Sequence, residues 1–379
     1  MSQTQSSRVQ RAEQSSETER REQESGVRHV RYGVLGSGFV ADFYLDGLES
    51  VPIASAVANY SRSRERGEAF AARRGITRTY TDMAELCADP EVDLVIIALP
   101  NHLHLEATRV AAQAGKGIVC TKPLARNAEE AAEMVRITRD AGVFAGYAET
   151  EVFSPNVMKA REMIEAGSIG DILSVRAREA HSGPHAEHFW NAELAGGGAL
   201  LDMGCHTIEA ARYFFGKDDP VTEAFAWGAT MTHADKTTGE DNAVAMIKFA
   251  GGGISITEAS WSAKGGMELR NEVVGSEGRL ITDSTATSVW GFIGKPAGYL
   301  MEKADAETGF VYPIPEEARV YGYTQELRHF VDCFRDGTQP RETFVDGYIV
   351  NVILDACYRS MKSGRWEPVT PDPEVLAKR

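Results

Sequence analysis

The chain has 379 residues, 43% of them apolar and 25% charged, proportions that exclude wholesale disorder, a collagen repeat or a coiled-coil rod and suggest about two domains or one large one. Forty basic against 55 acidic residues leave a net charge of −15, and with no segregated basic patch this excludes nucleic acid as a partner. No run of about 18 uncharged apolar residues offers a transmembrane helix, so no membrane partner is expected; five scattered cysteines without a CxxC pair point to no disulfide framework or zinc knuckle and fit a reducing cytoplasm.

Residues 1–28 are mostly Ser, Gln, Glu and Arg, with no aromatic residue and no apolar h-region. They read as a disordered or partner-docked N-terminal tail, not as a signal peptide.

From His29 the pattern alternates. VRYGVLG (30–36) is strand-like and runs into SGFVADFYLDGL at helical spacing. IASAVANY (53–60) predicts a strand, and RERGEAFAARRG (64–75) a helix closed by Gly75. VDLVIIALP (92–100) is an uninterrupted apolar run, as expected of a strand buried on both faces. Helices follow at 104–115, closed by Gly115, and at 127–142, capped by Asn127; strands are expected in 117–123 and 143–149. This βαβα rhythm over 29–150 predicts a doubly wound parallel sheet.

Gly36-Ser37-Gly38-Phe39-Val40-Ala41 is a G-x-G-x-x-A turn directly after the first strand. Gly36 permits the tight turn, Gly38 lets the backbone approach a pyrophosphate, and Ala41 lets the helix pack closely. The helix N-terminus, opened by Phe39 and Val40, offers free N–H groups to phosphates. The placement predicts NAD or NADP as cofactor. The second strand ends in Ala58-Asn59-Tyr60-Ser61-Arg62-Ser63-Arg64, with no acidic residue for a ribose 2′-hydroxyl. Ser61, Arg62 and Arg64 are suited to a 2′-phosphate, which favours NADP slightly, although they also read as solvated loop residues.

Beyond residue 150 the rhythm changes. A linking helix is expected at 154–170, with Ser154 as cap and Pro155 in the first turn. Strands are expected at 171–183, 221–231, 242–250, 253–262, 268–276 and 278–284, a helix at 203–216, and two late helices at about 323–336 and 344–362. Consecutive strands with short turns predict an open, mostly antiparallel sheet in an α+β domain spanning 151–379. One face of such a sheet needs a cover, so a homodimer or homotetramer through this sheet is expected.

At Gly36–Ala41, Pro100-Asn101-His102-Leu103-His104, Lys122-Pro123 and Asp202-Met203-Gly204-Cys205-His206, the sequence resembles the Gfo/Idh/MocA family, which includes glucose–fructose oxidoreductase and inositol dehydrogenase. The resemblance covers roughly 30–370. It implies a Rossmann domain, a second domain with a large sheet, and NAD(P)-dependent hydride transfer at a carbon of a sugar or cyclitol. It also implies cofactor contacts at Pro100, Asn101, His104, Thr121 and Lys122. The family's cofactor loop usually reads Glu-Lys-Pro, whereas here Thr121 precedes Lys122 and Pro123. The family's helical motif ends in Asp, whereas here the position is Glu209.

Oxidising an alcohol requires a base within about 3 Å of the hydroxyl. His206 is the natural candidate, with Asp202 four residues earlier on the same helix face to orient it or to bind a neighbouring hydroxyl. Lys122 follows a parallel strand at the end where open α/β sheets bind ligands; its ammonium can polarise the reacting oxygen, or it can itself be the base. His104, which the resemblance places near the nicotinamide, can equally be a capping residue of its helix. His181, His185 and His188 at spacings of four and three suggest a metal on paper. The Gly183-Pro184 break argues against it, and no metal is expected. These histidines, with Trp190 as a stacking platform and Tyr147, Glu149 and Arg178 as polar lining, are expected to contact substrate. Gly196, Gly197 and Gly198 are expected to allow close backbone approach beneath the site.

Three functions remain open on these residues: a sugar or cyclitol dehydrogenase; an NAD-dependent glycosidase that oxidises, eliminates and re-reduces, on an anionic sugar such as a sulfoquinovoside; and a non-catalytic sugar or cofactor sensor. Intact Lys122 and His206 argue against the sensor.

Overall fold

The apolar run at 94–97 becomes a strand completely withdrawn from solvent, and the first sheet is built around it. In a computed structural model, residues 28–285, 291–295, 308–311, 314 and 316–377 are described. The tail expected at 1–28 therefore lies outside the described residues except for Arg28. Strands β1 (Val30–Leu35), β2 (Ala54–Tyr60), β3 (Arg78–Tyr80), β4 (Leu94–Ile97), β5 (Gly117–Thr121) and β6 (Ala145–Ala148) form one parallel sheet in the order β3-β2-β1-β4-β5-β6. The order reverses between β1 and β4, and ligands bind such sheets outside the carboxyl ends of the strands at that reversal. The crossover helices end as their residue types dictate. Ser63 and Asn127 cap Arg64–Arg74 and Ala128–Ala141 by accepting backbone N–H groups, and Gly75, Gly115 and Gly142 take positive φ at helix ends. The short strand β3 and the helix Met83–Cys87 carry too few residues to show a period, and sequence reading passes over them.

The second sheet contains β7 (Ile172–Ala180), β8 (Val221–Ala229), β9 (Asn242–Phe249), β10 (Ile254–Ser260), β11 (Glu268–Gly275), β12 (Arg279–Asp283) and the short β15 (Glu367–Pro368), in the order β12-β11-β7-β10-β9-β8-β15. It is mostly antiparallel; only β7 and β10 run parallel, side by side at its centre. A separate pair, β13 (Gly291–Ile293) with β14 (Gly309–Val311), lies apart from it. The helix Gly204–Phe215 covers the inner face over β7 and β10, and the helix Phe344–Ser363 covers β8. Phe344–Ser363 also packs on Ala128–Ala141, and Tyr323–Asp336 packs on Phe39–Glu49, so the chain's last helices return to the first sheet. Ser154 does not cap its helix as expected. Its hydroxyl lies 3.0 Å from Ser284 Oγ and donates to Val320 O at 2.9 Å, while Pro155 holds the first turn.

Candidate active site

The first turn is shaped by glycine. Gly36 has φ +136°, and a Cβ there would overlap the Ala98 carbonyl oxygen at the end of β4. Its N–H donates to Tyr60 O at 3.1 Å, tying β1 to the end of β2. Gly38 precedes the helix Phe39–Glu49, and a Cβ built on it meets nothing within 4 Å. That free space lies at a helix N-terminus, as a pyrophosphate cradle requires. A cavity of about 450 Å³ starts at this turn. Ser61, Arg62, Ser63 and Arg66 line its β2 side, and Ser37 Oγ donates to Ser61 Oγ at 3.0 Å. Phe39, Val40, Pro100 and Asn101 continue the wall, and Asn101 is pinned by its Nδ2 donating to Ala195 O at 2.8 Å.

At the cavity's far end, five segments bring charged side chains together: the ends of β5 and β6, β7, and the helices Ala199–Asp202 and Gly204–Phe215. Lys122, one residue beyond β5, donates to the Asp202 backbone carbonyl at 2.7 Å and to Asp202 Oδ1 at 3.1 Å. Trp261 Nε1 fixes the other carboxylate oxygen at 3.1 Å. His206, on the following helix, bonds through Nδ1 to Glu149 Oε1, and its Nε2 lies 4.0 Å from Glu179 Oε2 on β7. Glu151, from the 3₁₀ turn Thr150–Phe153, accepts from Asn271 Nδ2 at 2.7 Å.

These contacts set the protonation states. Burial opposes charge on Lys122, but Asp202, with help from Glu179, outweighs it and holds the ammonium protonated. Burial likewise opposes charge on His206, yet Glu149 and Glu179 prevail over it and over repulsion from Lys122, and its pKa rises to about 9. Burial raises Glu179 to about 8 and Glu151 to about 7. His188 is pushed down to about 4 by burial and stays neutral.

Two family models match the chain: an oxidoreductase family with an NAD-binding Rossmann fold over residues 30–148, and the Gfo/Idh/MocA C-terminal domain over 157–281. The 1,5-anhydro-D-fructose reductase of Ensifer adhaerens is 32% identical over 84% of this chain and 92% of its own. The chain belongs to the Gfo/Idh/MocA family of oxidoreductases. Levoglucosan dehydrogenase of Pseudarthrobacter phenanthrenivorans is 28% identical over 93% of this chain and all of its own. Among solved structures, GenD2 from gentamicin A biosynthesis in complex with NAD is 28% identical, with a TM-score of 0.85 over 91% of this chain and 97% of that one. Levoglucosan dehydrogenase with NADH and levoglucosan gives 26% and 0.76, over 90% of this chain and all of that one.

In this Gfo/Idh/MocA protein, several residues expected at the site stand elsewhere. Arg178 does not line the cavity. It lies on the other face of β7, where it pairs with Glu258 at 2.8 Å and Glu268 at 2.9 Å, and its neighbour Glu179 faces inward. Asp202 does not orient His206, because its carboxylate is committed to Lys122 and Trp261; Glu149 bonds the imidazole instead. His104 is withdrawn from the cavity. One ring nitrogen lies 2.8 Å from Leu99 O and the other 3.2 and 3.1 Å from Pro123 O and Leu124 O, so it joins the β4 and β5 loops. Trp190 is also off the lining, with ring centroids 5.3 Å from Trp261 and 4.9 Å from His233; the apolar wall comes from Phe189. Tyr147 is fully buried behind the wall, its hydroxyl donating to Glu149 Oε2 at 3.4 Å. His181, His185 and His188 do line the cavity, and the His185 ring sits 4.8 Å from that of Phe39, bringing the second half of the chain onto the glycine turn. Glu209 pairs with Arg212 and lies 3.3 Å from Lys217 Nζ, in a buried ionic network away from the cavity. Gly197 and Gly198 have no room for a Cβ against the Tyr358 hydroxyl and the Glu240 carbonyl, which fits the expected close approach. Sequence reading missed Glu179, Glu151 and Trp261.

Proposed function

We propose that this NAD(P)-dependent oxidoreductase oxidises a ring hydroxyl of a sugar or cyclitol, or reduces the matching ketone, with Lys122 and His206 managing the proton. The observation that carries the assignment is one cavity that runs from the glycine turn to Lys122, Asp202 and His206, with Glu149 fully buried behind His206 and off the lining where it was expected. The open space at Gly38 and the helix N-terminus fit a dinucleotide, whose nicotinamide supplies the hydride acceptor or donor when bound. Lys122, charged and anchored by Asp202, polarises the reacting oxygen. His206 takes the hydroxyl proton in oxidation and returns it in reduction. Glu149 fixes the ring's orientation through Nδ1, which leaves Nε2 to face the substrate.

The test is cofactor accounting. With sugar and oxidised cofactor, a dehydrogenase accumulates one reduced cofactor per product. Aglycone release from a glycoside with no net reduction would replace this reading with the redox glycosidase.

The pH profile follows from His206. Its proton is held by Glu149 and Glu179 up to about pH 9, so oxidation, which needs the neutral ring, speeds up as pH rises towards that value. Glu149→Gln removes an anion that stabilises the imidazolium, which lowers the ring's pKa. The rise then moves to lower pH by about one unit or more. An unmoved profile would detach the rate from His206.

At the adenosine end we assign Ser61, Arg62 and Arg66 to a 2′-phosphate, because the described lining there holds no carboxylate. Arg62→Ala should weaken NADP about 10-fold and NAD far less. Calorimetric titration that finds equal losses would free Arg62 of this role.

Residues 29–150 serve as the cofactor unit and 151–379 as the substrate and assembly unit. Trp227 and Ile281 are 51% and 47% exposed on the sheet face away from the helices, which supports association of two copies through that face. A monomer in sedimentation velocity would refute it. The five cysteines are free and buried, which suits the cytoplasm.

A further inference from the structure

The substrate wall holds more acid than its own cations use. Lys122 is paired with Asp202 and His206 with Glu149, which leaves Glu151 and Glu179. Glu151 commits Oε1 to Asn271, while its Oε2 is buried with no hydrogen-bond partner among the described residues. Glu179 Oε2 is equally buried and accepts no hydrogen bond among the described residues; its ion-pair contact with His206 Nε2 is long, at 4.0 Å. The two residues are only 5% and 2% exposed, and both line the cavity. Buried carboxylate oxygens lose their hydration; no hydrogen bond replaces it at these two oxygens, and the charges of His206 and Lys122 offset the burial of Glu179 only in part. No arginine relieves them: Arg178 faces the other side of β7, and Arg62 and Arg66 line the cavity by the glycine turn.

We propose that the ligand supplies the missing cation: the substrate is an amino sugar or aminocyclitol whose ammonium, next to the hydroxyl that is oxidised, sits between Glu151 and Glu179. This deepens the dehydrogenase reading and rests on it. An ammonium carries three donors and a full charge, which suits two acceptor oxygens from different elements. A sugar hydroxyl can satisfy one oxygen but brings no charge to let both carboxyls ionise. Burial, with repulsion from Glu151, holds Glu179 near 8 against the pull of His206 and Lys122, and burial holds Glu151 near 7, so a bound cation stabilises both as carboxylates. A divalent metal fits less well. Donor atoms of Glu149, Glu151 and His206 do lie within 4.8 Å of one another, but His206 Nδ1 and Glu149 Oε1 are spent on each other. The two free oxygens fall short of the roughly six that Mg²⁺ or Ca²⁺ takes. An anionic sugar brings no positive charge to Glu151 or Glu179 and would oppose their ionisation. The amine stays protonated throughout and takes no part in hydride transfer.

The experiment uses the full chain loaded with NAD or NADP and matched ligands: D-glucosamine, D-glucose and N-acetyl-D-glucosamine, then an aminodeoxyinositol and an inositol. Both turnover and calorimetric binding are read at pH 7. The expected result is a preference of about 10-fold or more for the amine over its hydroxyl partner, abolished by N-acetylation. Glu151→Gln and Glu179→Gln should each reduce that preference about 10-fold. Cofactor reduction by the neutral sugars with no amine preference overturns the proposal and leaves the dehydrogenase reading intact. Preferential amine binding, lost in the variants, without reduction of cofactor by any of these ligands keeps the ammonium site but overturns the proposal that its occupant is oxidised. Failure of the amines to bind at ~10 mM overturns the proposal. So does activity that EDTA abolishes and Mg²⁺ or Mn²⁺ restores, which makes the cluster a metal site. Weaker cofactor binding in the two variants with an unchanged preference gives the oxygens to the nicotinamide carboxamide, and also overturns it.

Discussion

Lys122→Met, which keeps the side chain's bulk and removes its charge, lowers kcat/KM by about 10²-fold or more while cofactor still binds. The ammonium is fixed at three points of the site's geometry: the end of β5, the Asp202 carbonyl at 2.7 Å and the Asp202 carboxylate at 3.1 Å. A donor held in this way costs no reorganisation when charge develops on the substrate oxygen, so its loss falls mainly on the transition state. The glycine turn is untouched, so fluorescence titration should return near-normal cofactor affinity. Asp202, 5% exposed, loses its ionic partner in this variant, and removing one member of such a pair costs up to ~3 kcal/mol of stability. The double variant with Asp202→Asn separates the two effects. Neutralising the carboxyl should recover much of the melting temperature and none of the turnover. Full activity in Lys122→Met would remove Lys122 from the chemistry.

The contrast between Lys122 and Arg178 shows how far local pattern reaches. Both were expected at the cleft, and β7 was readable as a strand. Its alternation already separates the faces: Val175 and Ala177 share a parity with Glu179, and all three are buried, whereas Arg176 and Arg178 take the other face. The period of two therefore carries the signal for Glu179 and turns Arg178 away from the cleft. Glu151 offers no such signal, since it sits in a 3₁₀ turn with no repeat to place it. The bond from Trp261 to Asp202 joins residues 59 apart in sequence and depends on the packing of the short helix Ala199–Asp202 against β10. His104 was placed correctly at a helix start, but its ring direction depends on carbonyls from two other loops. The Rossmann half was legible almost strand by strand, because buried parallel strands read as apolar runs and their helices end on glycine. The central parallel pair β7–β10 was not, because strand pairing in a mixed sheet is decided by long connections rather than by local residues.

Gly38→Val abolishes binding of NAD and NADP and leaves the fold intact. The structure separates the two glycines of the turn by what a side chain would meet. At Gly36 the φ of +136° and the Ala98 carbonyl both oppose any Cβ, so a substitution there strains the protein itself and confuses lost binding with lost folding. At Gly38 the backbone is extended, with φ −99° and ψ −175°, a conformation valine adopts freely, and its Cβ enters empty space. That space is where the pyrophosphate must approach the helix N-terminus, and two added methyl groups fill it. Circular dichroism and melting temperature should therefore match the parent, while calorimetry should show no cofactor binding at ~1 mM, a loss of about 10³-fold or more for a micromolar parent affinity. The parent should melt at higher temperature when cofactor is added, and the variant should not, because only a ligand that binds the native state shifts its stability. A folded Gly38→Val protein with near-parental cofactor affinity would mean that the dinucleotide does not lie along this turn, and the direction of the whole cavity, from Arg62 to His206, would have to be reassigned.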